Sequence, residues 1–106
     1  MLKNIIIGDK QFTLKSSAYT PFAYRDLTGR ELLKDLKRLQ RMDVANEDEQ
    51  LENYGEIVMI VEQLAYVMYQ QANKDKLTFE EFLQEIDYVS QDLIVEVVGL
   101  AMSTFR

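Results

Sequence analysis

The chain has no cysteine and no histidine, and only one proline and four glycines, in 106 residues. Without cysteine there can be no disulfide and no thiolate nucleophile; without histidine as well, Cys/His zinc sites and imidazole general bases are also excluded. The lack of cysteine is compatible with a reducing cytoplasm. Gly8 and Gly29 stand alone, so no glycine-rich loop is available to cradle a phosphate. Long apolar runs are missing too. Met1-Leu2-Lys3-Asn4 leads into only three isoleucines before Gly8, too few for the apolar core of a secretion signal. The richest apolar stretches are broken by Glu62, Gln63, Gln70 and Gln71, or by Glu96, and fall short of the ~20 residues a spanning helix needs.

What remains has a globular composition, 47% hydrophobic, which argues against disorder as the main state. The length suits a single domain over residues 1–106. Charge is unevenly placed. Residues 1–41 carry nine Lys or Arg against four Asp or Glu, a net of +5; residues 42–106 carry three against fourteen, a net of −11. Such polarity can orient head-to-tail association or steer a partner of opposite sign. An acidic majority surface disfavours nucleic acid.

Residues 3–15 read as a β-hairpin: β-branched Asn4-Ile5-Ile6-Ile7, a turn at Gly8-Asp9-Lys10, and alternating Phe12-Thr13-Leu14-Lys15. Phe12 and Leu14 share one face, with Gln11, Thr13 and Lys15 on the other. Two strands alone are barely stable, and their open edges are the first place to look for intermolecular pairing. The helical part spans residues 20–105. Thr20 is the expected N-cap of a first helix with Pro21 at its first position, running through Phe22, Ala23, Tyr24 and Leu27 to stop near Gly29. A second helix, about Arg30 to Met42, has Leu32, Leu33, Leu36 and Leu39 as its apolar stripe and Lys34, Lys37, Arg38 and Arg41 on its wet side.

An acidic loop, or the frayed first turn of the next helix, is expected at about residues 43–53. A third helix, from Leu51 or Tyr54 to Ala72, carries Ile57, Val58, Ile60, Val61, Leu64, Ala65, Val67 and Met68. It is apolar around most of its circumference. Thr78 and Glu81 fit a capping box for a short helix from Phe79 to Ile86, with Leu77 stapling onto Phe82. Ser90 caps a last helix through Leu93, Ile94, Val95, Val97, Val98, Leu100, Ala101 and Met102. The expected fold is therefore mainly α (α+β), an N-terminal hairpin followed by about five helices. The third and fifth helices are more apolar than so small a core is expected to absorb, which points to a partner or to self-assembly.

Candidate chemistry is sparse. Leu77-Thr78-Phe79-Glu80-Glu81-Phe82 looks like the exit of a calcium-binding EF-hand, but the preceding ligand positions fall on Gln70, Ala72 and Lys74, and Asp75 stands where glycine is needed. Capping explains the same residues. Glu31 with Asp35, and Glu81 with Glu85, are carboxylate pairs one turn apart, as acid–base pairs can be. Their neighbours are Lys, Arg, Gln or further Glu, so they read as solvated. The tyrosines at 19, 24, 54, 66, 69 and 88 read as core edges or interface residues, with the Tyr66 and Tyr69 hydroxyls expected to reach water. The basic second helix, interrupted by Asp35 and without aromatic platforms, is a poor phosphate binder.

Taken in order, the ribbon Ile5 to Lys15, the segment Phe22-Ala23-Tyr24-Arg25-Asp26-Leu27-Thr28-Gly29-Arg30 with Leu33-Lys34-Asp35-Leu36, the apolar helix bearing Leu64-Ala65-Tyr66-Val67-Met68-Tyr69, the Thr78-Phe79-Glu80-Glu81-Phe82 step and the closing apolar helix resemble the short tail assembly chaperones of long-tailed bacteriophages and prophages of Gram-positive hosts. The resemblance spans nearly the whole chain and rests on pattern, not on any single motif. It implies a non-enzymatic protein that accompanies the tape measure protein, with the tail tube protein as a further expected partner, while the tube assembles. It also implies self-association into a homo-oligomer, location in the host bacterial cytoplasm, absence from the mature virion, and no cofactor or metal. The acidic stretch Glu47 to Glu52 matches no family feature. A head-completion or packaging adaptor, or a prophage regulatory protein binding a host protein, are the alternatives. On the residues themselves, the interface candidates are Ile5, Ile7, Phe12, Leu14, Leu33, Leu36, Val61, Leu64, Met68, Leu93, Val98 and Met102. Leu64→Asp or Val98→Asp separates the two roles: lost assembly with helicity kept marks an interface, unfolding marks the core.

Overall fold

The computed structural model describes residues 2–7, 10–41, 47–73, 77–86 and 89–104, with residues 7 and 47–54 through their backbone only. Two strands, β1 (Leu2–Ile7) and β2 (Lys10–Lys15), lead into helices α1 (Thr20–Thr28), α2 (Leu32–Arg41), α3 (Glu47–Ala72), α4 (Phe79–Gln84) and α5 (Gln91–Ser103). This is the expected hairpin followed by five helices, mainly helical in content. The turn at Gly8-Asp9, Met42 at the expected end of the second helix, residues 43–46 of the expected acidic loop, residues 74–76, Tyr88 and Phe105 lie outside the described residues. Residues 47–53 of that loop belong to the first turns of α3.

The strands pair antiparallel, with Ile5 opposite Phe12 and Asn4 opposite Thr13. Alternation does the rest: Ile5, Phe12 and Leu14 are buried, while Leu2, Asn4, Ile6 and Gln11 face outward. The ribbon gains its stability by lying on helices, since β2 packs on α3 and β1 touches α5.

α3 is the central element, packed by β2, α1, α4 and α5. That arrangement explains how a helix apolar on several sides stays out of water. Ile57, Ile60, Val61, Leu64, Ala65, Val67 and Met68 are all buried, and so are Tyr66 and Tyr69. On α5, Leu93, Ile94, Val97, Leu100 and Ala101 are buried, with Val98 and Met102 partly covered against the same core. Among the described residues, the expected surplus of these two helices is thus absorbed within the chain, apart from Met59 and Val95. At the join of β2, α3 and α4, Phe12, Tyr66, Tyr69 and Phe82 form an aromatic cluster with ring centroids 5.0 to 6.3 Å apart.

Several local expectations hold and several need correction. Thr78 and Glu81 form both halves of the capping box, and the Ser90 hydroxyl accepts from the Leu93 N–H. Gly29 ends α1 with φ 75°, its N–H donating to the Arg25 carbonyl. Thr20, expected as N-cap, is instead the buried first residue of α1 after Tyr19. Its hydroxyl accepts from the Ser17 N–H and meets the Gln71 amide, so it ties the α1 start to α3. The Tyr66 hydroxyl, expected in water, donates to the Leu77 carbonyl at 2.8 Å and accepts from Gln70. It fixes the exit of α3 instead of reaching solvent.

Candidate protein-binding surface

The largest departure from the sequence reading lies at the α1–α2 corner. Asp35, expected on a wet face, is only 3% exposed. It accepts the Tyr24 hydroxyl at 2.6 Å and the Arg30 Nε–H at 2.9 Å. Arg30 Nη2 donates to the Tyr24 oxygen at 3.1 Å and also to the side-chain carbonyl of Gln63 on α3. The guanidinium carbon sits 5.8 Å from the Tyr24 ring centre, adding a cation–π contact. Tyr24 of α1 and Arg30 of the α1–α2 connection therefore converge on the α2 carboxylate, with Gln63 of α3 holding the guanidinium, so the buried charge is paired and hydrogen-bonded.

The electrostatics follow the geometry. Burial first, then the bond to Asp35 and its charge, push the Tyr24 phenol well above its ordinary value, so it stays a donor. The bond to Asp35 raises the Arg30 guanidinium further. Tyr24 is held as a neutral donor beside the Arg30–Asp35 ion pair. This corner is rigid by construction of its bonds, and it carries an unusual outer surface.

A helix turns about 100° per residue, so burying Tyr24 and Thr20 sends Phe22 to the opposite side. Phe22 is 67% exposed, with Tyr19 at 58% and Leu33 at 52%. Leu33, expected in the α2 stripe, stands about 100° from Leu32 and away from the buried line Leu32, Asp35, Leu36 and Leu39. The Tyr19 and Phe22 rings stack with centroids 6.4 Å apart. Phe22 and Leu33 line a shallow cleft of about 170 Å³ with Pro21, Arg25, Glu31 and Leu32. On the other flank of α1, Tyr19 and Leu27 border an open groove of about 610 Å³ that reaches Val67, Gln70 and Gln71 of α3, with Lys15 and Asp26 at its rim. Leu27, Tyr19, Phe22 and Leu33 thus form an exposed band along the two clefts, among exposed charges of both signs: Arg25, Lys34 and Lys37 with Asp26 and Glu31, of which Glu31 pairs with Lys34.

The twelve expected interface residues distribute differently. Ile5, Phe12, Leu14, Leu36, Val61, Leu64, Met68 and Leu93 are in the chain's own core, and Val98 and Met102 pack partly against it. Leu33 alone among them belongs to the exposed band, and the Ile7 side chain lies outside the described residues. Tyr19, Phe22 and Leu27 are not among the twelve, although Tyr19 reads from the sequence as a core edge or interface residue. The signal was there: Phe22 lies two residues from Tyr24 and so cannot share its face. No cluster of three or more Asp or Glu able to hold a metal occurs among the described residues. No described helix is long and apolar enough to cross a membrane. Compared with family models, curated proteins and solved structures, the chain has no match.

Proposed function

We propose that the chain is a non-enzymatic binding protein that presents the α1–α2 band to a partner protein. The observation that carries this reading is the exposure of Tyr19, Phe22 and Leu33 side by side on a corner whose interior is fixed by bonds to Asp35. Aromatic side chains in water on a pre-organised backbone have the makings of binding hot spots, because little further ordering is lost on docking. A partner helix with an apolar stripe suits the cleft between Phe22 and Leu33, with Arg25 and Glu31 at its rim to meet charges of either sign on that helix.

The resemblance supplies the identity of the partner: the tape measure protein of a long-tailed phage, held while the tail tube forms, with the chain itself self-associating. The test is coexpression with a tape measure protein of a long-tailed phage of a Gram-positive host, followed by copurification. The unaltered chain should copurify and keep the long partner soluble. Phe22→Asp with Leu33→Asp should abolish copurification while circular dichroism stays unchanged. Retention of the complex by this folded double variant would remove the α1–α2 band from the reading.

A further inference from the structure

The hairpin treats its two edges unequally. The β2 edge is tied to the helices: the Asn73 amide donates to the Thr13 carbonyl at 3.0 Å, and the Lys10 side chain pairs with Glu85 at the end of α4. That bond also shows which way the backbone points. The Thr13 carbonyl faces away from β1, so its cross-strand mate Asn4 directs its own N–H and C=O away from β2. By alternation Leu2 and Ile6 do the same. None of these three backbones bonds to anything beyond the hairpin among the described residues.

We propose that β1 pairs antiparallel with β1 of a second copy about a two-fold axis at Asn4. The strand fits itself in this register. Asn4 faces Asn4, Leu2 faces Ile6 and Ile6 faces Leu2, and all three pairs consist of residues whose N–H and C=O groups point outward. Each pair can then exchange both hydrogen bonds. Leu2 and Ile6, 64% and 73% exposed, lie on the outer face, so the same register sets each leucine directly across from an isoleucine. Two marginal ribbons become one four-stranded sheet. A slip by one residue would oppose outward-pointing and inward-pointing backbones and break the ladder. The only charge in the strand, Lys3, stands about 8 Å from its symmetry mate in this arrangement, a mild repulsion that salt screens. The proposal rests on the self-association in the reading above and names its surface, which is separate from the α1–α2 band.

The chain lacks cysteine, so a single introduced thiol reports on one position. At the two-fold axis the Cα atoms of residue 4 stand about 5.5 Å apart, a spacing that a disulfide bridges. Residue 2 stands about 14 Å from its mate, too far for one. Under mild oxidation of the full chain, Asn4→Cys should give a covalent dimer on a non-reducing gel. Leu2→Cys alone should not, whereas Leu2→Cys mixed with Ile6→Cys should give a crosslinked heterodimer. Sedimentation of the unaltered chain should show a dimer that Ile6→Lys weakens at least ten-fold. A monomer at 100 µM would overturn the proposal together with self-association. A dimer whose Asn4→Cys form stays uncrosslinked, or one that crosslinks equally through Leu2→Cys, would overturn the β1 seam alone.

Discussion

Replacing Asp35 by alanine tests whether the α1–α2 corner is held as described. The substitution removes two bonds, from the Tyr24 hydroxyl and from the Arg30 guanidinium. Bonds to a charged group contribute about 1.5–3 kcal/mol each, and breaking a buried ion pair from one side costs about 3–5 kcal/mol. Both figures need reduction here, because the Arg30 side chain is 33% exposed and can turn partly to water. Tyr24 also keeps its contact with Arg30 Nη2. The expected loss is about 2–4 kcal/mol, a large part of the stability of a domain this size. Asp35→Asn should lose less, about 1–2 kcal/mol, since one amide oxygen still accepts while the charge is gone. Urea unfolding followed by circular dichroism measures the difference, with an unchanged slope showing that the unfolded state is comparable. A cycle with Tyr24→Phe should show coupling above 0.5 kcal/mol, as expected of residues in one network. A solvated carboxylate would cost less than about 0.5 kcal/mol. A result that small for Asp35→Ala would refute the buried network and with it the rigidity attributed to the corner.

Other consequences can be checked in the same preparations. Leu64 is fully buried, so Leu64→Ala should cost about 2–5 kcal/mol and Leu64→Asp should unfold the chain, whereas Val98→Asp, at a partly covered site, should leave it folded but weakened; equal behaviour in thermal melts would contradict the division between core and surface. Thr78→Ala removes the acceptor for the Glu81 N–H and should cost about 0.5–2 kcal/mol, read by denaturant unfolding. Tyr24 gives a pH signature: its native phenol is held above the unfolded value of about 10 by burial and then by Asp35. Its stabilising contribution is complete below that value and falls as pH rises beyond it, because only the unfolded phenol ionises. Stability measured from pH 9 to 11 should therefore decline, and Tyr24→Phe should flatten that decline.

How much could be read from the sequence depended on what each element had to signal. The hairpin and the caps were legible because their cues are local: alternation through Phe12-Thr13-Leu14, glycine after Thr28, and the Thr78/Glu81 spacing. α3 was recognisable as the most apolar helix, but whether its outer positions met a partner or the chain's own elements could not be known before β2, α1, α4 and α5 were seen around it. Asp35 was misread because its neighbours Lys34 and Lys37 set the expectation. Its position three residues after Leu32 and four before Leu39 puts it on the buried line, and that spacing was the available clue. Its partners are Tyr24, eleven residues upstream on another helix, and Arg30, which α3 steadies in turn through Gln63, and such tertiary pairing leaves no local trace. The exposed band was only partly legible: Leu33 stood among the interface candidates, whereas the place of Phe22 becomes clear only once the helix phase is set by Tyr24.

The claim on which the functional reading depends is that binding occurs at the α1–α2 band and leaves the α3–α5 core intact. Titrating the isotopically labelled chain with a soluble segment of the tape measure protein, while recording methyl and aromatic spectra, tests it most directly. The account predicts that signals of Leu27, Leu33, Tyr19 and Phe22 move while those of Val61, Leu64 and Ile94 hold still. Shifts confined to other surfaces, such as Val95 or Met59, or a wholesale change in the core signals, would contradict it.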